Sequence, residues 1–441
     1  MIKVRPTLAL MLLALALAWP RAGTAQDVKT YTLDEIQSLA ASYYQAVGIS
    51  RARADQAREM ERMAFGARLP TITTAGVVTS NVVTASLTFN NFTVDLLPRV
   101  DYNFAVSAVQ PLFTGFRLEK AQRQAELGVQ VARTGVGITV QDTVLAATRA
   151  YYGVLGLQEN VEISRRAVEV AQQTLRTAES LYRAGEAVET SALRARVAES
   201  DARRELLVAE NALILGRHQL MLLTGLTGEF QLTQPPATKR IDTPVEDLIT
   251  LGLGTRPELR ALALERQIAG LEVDRQRGQW YPTIEAHAAY VKQRATFPSS
   301  QLASVAVNAV WPLFDGGRRG AAVATAKSSL TEAGLQEELA RRQTAEQIRA
   351  AYVAMQTLSA SVELLKSQIE VARRNADETG KAYQAGEATD LDVLQSNNAL
   401  TQSERQLAQA TFQYEMSICD LQRAIGTFAA DRAPQTSGGH E

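Results

Sequence analysis

Val109 to Arg117 reads VQPLFTGFR, and Val310 to Arg318 reads VWPLFDGGR. Further on, Tyr182 to Ala187 reads YRAGEA and Tyr383 to Ala388 reads YQAGEA. Both pairs stand 201 residues apart, as do Ala150-Tyr151 and Ala351-Tyr352, and Gly225 and Gly426. A constant offset over so long a stretch argues for long helices in fixed register, because one inserted residue turns every later side chain by about 100°. The chain is therefore read as two tandem repeats. Upstream of Pro111 the offset becomes 212, pairing Pro70 with Pro282, and Asp34, Ile36 and Leu39 with Glu246, Leu248 and Leu251. The eleven extra residues fall between Pro70 and Pro111, which marks a loop there.

Between the two echoes the chain is free of proline and rich in Ala, Arg, Glu, Gln and Leu. It predicts long helices over 115–184 and 317–385, about 105 Å high at 1.5 Å per residue. Val154, Val161, Val168, Leu175 and Tyr182 fall seven apart, and so do Met355, Val362, Ile369, Ala376 and Tyr383. Strict sevens impose left-handed supercoiling on neighbouring helices. Gly185 and Gly386 suit reversals of direction, giving tip turns over 185–190 and 386–390. Return helices over 191–225 and 391–426 carry sevens as well: Leu206, Leu213 and Leu220, then Val393, Leu400, Leu407, Tyr414 and Leu421. Small residues follow all of these but Leu220 by three, among them Ser396, Ser403, Ala410 and Ser417, a pattern for close approach in a curved wall. The return helices reach only about half the full height. Helices over 34–68 and 245–279 supply the remainder, with a proline-rich linker at 226–244 near mid-height.

The proline-bounded segments 70–111 and 282–312 alternate instead. Val100, Tyr102, Phe104, Val106 and Ala108 interleave with Asp101, Asn103 and Ser107. Ile284, Ala286, Ala288 and Tyr290, then Val305, Val307, Ala309 and Trp311, do the same in the second copy. Period two with an aromatic fringe predicts one membrane β-hairpin per repeat. Tyr102, Phe104, Val106, Tyr290, Val305, Val307 and Trp311 are the expected lipid-facing positions, and His287 falls on the opposite, inward face. Four strands enclose no useful bore, whereas three chains would bring twelve.

Lys3 and Arg5 precede an apolar run from Leu8 to Ala18, followed by Gly23-Thr24-Ala25. That run is too short for a bilayer span, so 1–25 is read as a cleaved export signal and 427–441 as a flexible tail. The single cysteine, Cys419, excludes an intrachain disulfide and a lipidated cysteine after the signal. A net charge of -1 offers nothing to nucleic acid. No further long apolar segment suggests a transmembrane helix, so any crossing is expected to use strands. His218, His287 and His440 have no metal-binding spacing, Gly135-Val-Gly137 and Gly252-Leu-Gly254 lack the rest of a phosphate signature, and no catalytic grouping or cofactor site is read. Acids gather at the turns: Glu186, Glu189, Glu387, Asp390 and Asp392. They are expected to form a cation-favouring entrance and, with Gly185 and Gly386, a docking surface. Part of that clustering is ordinary placement of acids at helix N-termini.

The duplicated order of helix, hairpin, long helix, glycine turn and half-length helix resembles the TolC family of outer-membrane efflux channels across essentially the whole mature chain. The most specific pieces are Pro111 to Arg117, Pro312 to Arg318, and Tyr383 to Leu394. The resemblance implies a homotrimer: a twelve-stranded outer-membrane barrel continued by a periplasmic helical tunnel, a passive duct that meets a periplasmic adaptor and an inner-membrane pump. It also implies a gate at the tip, held by a tyrosine, by an arginine five residues later, and by an aspartate of the other repeat. Tyr383 matches the tyrosine; Ala388 stands at the arginine position and Ser191 at that of the aspartate. Of two further family aspartates Asp392 matches the first and Gln395 replaces the second. Without the charged pair, closure is expected to rest on Tyr182, Tyr383 and helix packing. The competing reading is a pore-less periplasmic coiled-coil adaptor or structural protein, which would lack the full-length duplication.

Overall fold

Two pairs of antiparallel helices, each joined at a glycine turn, make up most of the chain. The computed structural model describes residues 29–90, 92–236, 241–294 and 300–429; the expected export signal and nearly all of the expected tail lie outside them. The first pair is α3 (Arg117–Ala184) with α4 (Glu189–Thr224), and the second is α7 (Arg318–Gln384) with α8 (Asp390–Ile425). Val154, Val161 and Val168 on α3, and Met355, Val362 and Tyr383 on α7, are buried. So are the small Ser396, Ser403, Ala410 and Ser417 of α8, which let the neighbouring backbone come close. Ser403 Oγ also accepts a bond of 3.0 Å from Gln368 of α7.

The segments 34–68 and 245–279 are not single helices. Each breaks once, into α1 (Leu33–Tyr43) and α2 (Gln45–Gly66), and into α5 (Val245–Thr255) and α6 (Pro257–Arg277). The breaks fall at Tyr44 and Arg256, both extended and 212 residues apart. Pro257 forces the second, since a residue before proline is excluded from the helical region. The first has no proline, and packing accounts for both. A Cβ on Gly225, at the end of α4, would lie 2.5 Å from the Tyr43 ring, and one on Gly426, at the end of α8, 2.9 Å from Arg256 Cα. Each broken helix steps aside where a return helix ends.

The linker 226–244 contains a short strand, β6 (Phe230–Leu232), paired in parallel with β1 (Lys29–Tyr31). Tyr151 of α3 is fully buried beneath this ribbon, and its hydroxyl donates to the Thr233 carbonyl. Burial there pushes its phenol up to about 12. Around Tyr151 pack Ile36, Ala40, Leu155, Leu220 and Phe230.

β2 (Thr71–Ser80), β5 (Val100–Phe113), β7 (Thr283–Gln293) and β8 (Gln301–Val310) form one antiparallel sheet in the order β2-β5-β7-β8. The extra residues of the first hairpin are not simply loop; they hold a small hairpin of β3 (Ala85–Phe89) and β4 (Phe92–Leu97). Pairing of Val106 with Tyr290, of Ala288 with Val305 and of Ala286 with Val307 sets those residues on one sheet face, since facing partners share a face. Tyr102, paired with Val78, and Phe104, lying over Gly76, share it too. Trp311 lies just beyond β8, where its indole donates to the Trp280 carbonyl at 3.0 Å.

Below the sheet the helices form a wall one layer thick. In its upper part α3 packs between α2 and α6, and α6 packs on α7; in the lower part α3 lies between α4 and α8, and α8 packs on α7. The wall thus has two open edges, α2 with α4 on one side and α7 on the other. On α4, Val208, Leu215 and Leu222 are exposed at intervals of seven; on α7, Leu364 and Val371 are. That stripe helps make α4 the one helix among the described residues long and apolar enough, by composition, to cross a membrane. Part of the hydropathy that suggests a span therefore belongs to an uncovered edge.

Candidate functional site at the helix turns

The two turns lie side by side at the far end of the helices. Gly185 (φ 75°) and Gly386 (φ 77°) hold the left-handed conformation that ends α3 and α7, with open space where a side chain would be. Glu186 N–H donates back to Leu181 O at 2.9 Å and Glu387 N–H to Ala382 O at 2.8 Å, so both turns close alike.

Beyond the glycines the turns differ. α8 opens with a capping box: Thr389 N–H and hydroxyl donate to Asp392 Oδ2 at 2.9 and 2.6 Å, and Asp392 N–H returns a bond of 3.3 Å to Thr389 Oγ1. Those bonds hold the Asp392 carboxyl below the usual carboxylate range. The corresponding start of α4 has Val188 at its cap and no side-chain bond. Asp392 therefore caps a helix instead of standing as an unengaged carboxylate, and Gln395, one turn on, is exposed.

A charged pair does join the two turns, contrary to the expectation drawn from Ala388 and Ser191. Arg194, one turn into α4, donates through Nε to Asp390 Oδ2 at 2.8 Å and through Nη2 to Asp390 Oδ1 at 3.1 Å. Ser191 Oγ adds a bond of 3.3 Å to the same carboxylate. The Asp390 side chain is 8% exposed against 51% for Arg194, so the acid is sunk into the seam and the arginine reaches it from the rim. The Arg194 bond, against a smaller opposing push from burial, holds Asp390 below the usual aspartate range. Ala388, at the position of the family arginine, is only half-buried and its N–H donates to Ala382 O.

Tyr383 is buried beside this pair, and its hydroxyl has no hydrogen-bond partner among the described residues. Burial, with the Asp390 charge second, pushes its phenol up. Tyr182, its counterpart, is 44% exposed. Of the five tip acids, Asp390 is paired and Asp392 is a cap, leaving Glu186, Glu189 and Glu387 exposed. The acidic rim is smaller than composition suggests. Arg194 escaped the sequence reading because no periodicity marks it; its one signal is its place one turn after Ser191. No group of three or more His, Cys, Asp or Glu among the described residues could hold a metal ion.

Higher up, the seam between the halves carries more ion pairs. Arg405 of α8 meets Glu205 of α4 at 2.6 Å, Arg149 of α3 meets Asp420 of α8 at 2.7 Å, and Arg423 of α8 meets Asp142 of α3 at 2.8 Å.

A sheet continued by a one-layer helical wall, turned back at its far end by paired glycines, is the fold shared with solved outer-membrane channels. A profile of the family described as outer membrane efflux protein matches residues 37–226 and 248–427, and the chain belongs to that family, the family of TolC. It is 24% identical over 344 residues to the outer membrane efflux protein BepC of Brucella suis, covering 76% of this chain and 75% of that one. It is likewise 24% identical over 330 residues to the alkaline protease secretion protein AprF of Pseudomonas aeruginosa, covering 71% and 68% of the two chains. Among solved structures, the CmeC outer membrane channel of Campylobacter jejuni superposes with a TM-score of 0.79 at 16% identity, over 90% of this chain and 86% of that one.

Proposed function

We propose that the chain is one subunit of a passive export duct, in which three copies join their sheets into a twelve-stranded outer-membrane barrel and their helical walls into a periplasmic tunnel. The observation that carries this reading is that one chain is open on the same two sides over its whole height. β2 and β8 are unpaired sheet edges, while α2 with α4 and α7 are uncovered edges of the wall. In lipid an open strand edge has no water to satisfy it and must be paired. The exposed sevens on α4 and α7 support burial of those edges against further copies. Contact of one edge with the opposite edge of the next copy is heterologous, and it closes a ring when the rotation allows.

Tyr102, Phe104, Val106, Tyr290, Val305 and Val307 would face lipid. Trp280, Tyr281, Trp311 and Phe314, all exposed at the base of the sheet, would form the interfacial girdle. At the other end Gly185, Glu186, Glu189, Gly386 and Glu387 would meet a periplasmic adaptor coupled to an inner-membrane pump. Tyr182, Tyr383 and the Arg194–Asp390 pair would hold the gate. The protein would reach the outer membrane through a cleaved signal, without a lipid anchor or cofactor. Cargo would be small molecules, metals or proteins chosen by the pump, and the name of AprF records protease secretion for that relative.

The mass of the detergent-extracted protein and its conductance in a planar bilayer test this reading: a trimer with ion conductance supports it, and a monomer released by salt and silent in bilayers refutes it. Strand facing has its own test. Val307→Arg at mid-bilayer is expected to cost about 2 to 4 kcal/mol and to deplete outer-membrane trimer. Asn308→Arg on the opposite face is expected to assemble. The reverse outcome exchanges the two faces.

A further inference from the structure

Gly66 is a glycine with no reason to be one in a single chain. It ends α2 in a helical conformation that any residue adopts, has nothing within 4 Å of where a Cβ would stand, and costs about 1 kcal/mol relative to alanine within a helix. Its counterpart 212 residues on, Gly278, is also helical, but there the reason is plain. A Cβ on Gly278 would lie 2.4 Å from Gly115 O, and one on Gly115 would lie 2.1 Å from Gly278 O. The connection from β5 to α3 thus sits backbone against backbone on the connection from α6 to β7. Phe113 and Phe116 flank the contact, both edge-on to Tyr281 with centroids 6.4 Å away.

All of that joint but Phe116, where the second copy has Gly317, has a second edition left open. Gly316 repeats Gly115 with φ 67° against 66°, and nothing lies within 4 Å of it. Phe314 repeats Phe113 and is 88% exposed; Leu69 repeats Tyr281 and is 47% exposed. The hairpins confirm that these equivalences hold residue by residue. Thr71 pairs with Val109 as Thr283 pairs with Val310, and Ser80 with Val100 as Lys292 with Gln301.

We infer that Gly316 of one copy seats on Gly66 of the next, with Phe314 over Leu69, repeating between subunits the Gly115–Gly278 joint found within each. The inference rests on the ring of copies proposed above and adds its register. Carrying the observed β5–β7 pairing across the same offsets, β8 adds to β2 of the next copy with Val307 opposite Val78, Ala309 opposite Gly76 and Trp311 opposite Thr74. The apolar face then runs unbroken across the subunit boundary. The joint between barrel and tunnel is completed only by the neighbour's glycine.

Two experiments on the full-length chain test this. Cysteines at Val78 and Val307, in a Cys419→Ala background, are expected to give a covalent trimer on non-reducing denaturing gels, and cysteines at Val78 and Val305 to give little. In parallel, Gly66→Leu is expected to fold with unchanged helix content, since the single chain leaves that space open, but to lose the detergent-stable trimer. A trimer that tolerates Gly66→Leu, or that cross-links through Val78 and Val305 in preference, overturns the seating while leaving the ring intact. Single copies in detergent with no cross-link from either pair overturn the ring and the seating together.

Discussion

The two turns at the tip start from one plan and end with different chemistry. Both reverse at a left-handed glycine with the same backbone bonds, yet the second has a capped helix start and a buried tyrosine, and the first an uncapped start and an exposed tyrosine. Offset by 201, Arg194 corresponds to Gln395, Ser191 to Asp392, and Glu189 to Asp390. Each half therefore carries part of one ion pair, the lock proposed for the tip: the first gives the base and the hydroxyl, and the second gives the acid. Identical turns could still cross-pair, each base with the other's acid, but would do so twice; here the pair forms in one direction only. Divergence at three positions turns two equivalent ends into a complementary pair, and most of the expected contrast between variants follows from it.

Removing the arginine is expected to have the largest effect. Arg194→Gln leaves Asp390 sunk in the seam with only the Ser191 hydroxyl, and a carboxylate in that position is costly without its cation. Resting conductance of the reconstituted channel is expected to rise several-fold, whereas Gln395→Arg, at the corresponding place of the other half, should leave it near wild type. Equal effects from the two substitutions would show that the halves are functionally alike after all. The pH response sharpens the same point. Asp390 is held below its ordinary range, so the pair contributes in full above the unfolded aspartate value of about 3.9 and is lost as pH falls through the lower folded value. In Arg194→Gln the pair is absent and Asp390 is a costly buried carboxylate, so protonating it relieves that cost: acid should break closure in the wild type, whereas the variant should lose that acid-induced opening. An unchanged acid threshold would separate Asp390 from closure.

Next in size is the cap. Thr389→Val makes the start of α8 like that of α4 and is expected to cost about 1 kcal/mol of local stability, read as faster amide exchange in the first turn. Val188→Thr should protect α4 by less, because Ser191 is already committed to Asp390 and cannot complete a capping box. Equal and opposite changes would mean that the two helix starts are interchangeable.

The long helices were legible because a constant offset and strict sevens survive only where register is fixed. The hairpins were legible because one apolar face imposes period two. What escaped has physical reasons. β1 and β6 are three residues each, too short for any period. The break at Tyr44 is set by packing near Gly225 and has no proline to announce it. The tip acids were read one position at a time against the family's residues, and that comparison misses a pair rebuilt from other positions, as Arg194 and Asp390 are.

The smallest effect is expected from Ser191, and it decides whether the lock has two members or three. Its hydroxyl lies 3.3 Å from Asp390 Oδ1, long for an O–H donor, and 3.4 Å from Arg194 Nη2. A bond at that length belongs at the low end of the range, so Ser191→Ala should cost about 0.5 kcal/mol and leave resting conductance almost unchanged. Ser191→Asp, which would restore the family acid at its own position, should behave quite differently. It sets a second carboxylate against Asp390 with one guanidinium between them, so repulsion is expected to raise conductance and make it sensitive to acid, protonation of one carboxylate restoring closure. If Ser191→Asp instead tightens the tip at neutral pH, Arg194 holds both acids, and the two halves are less divided in their roles than their sequences indicate.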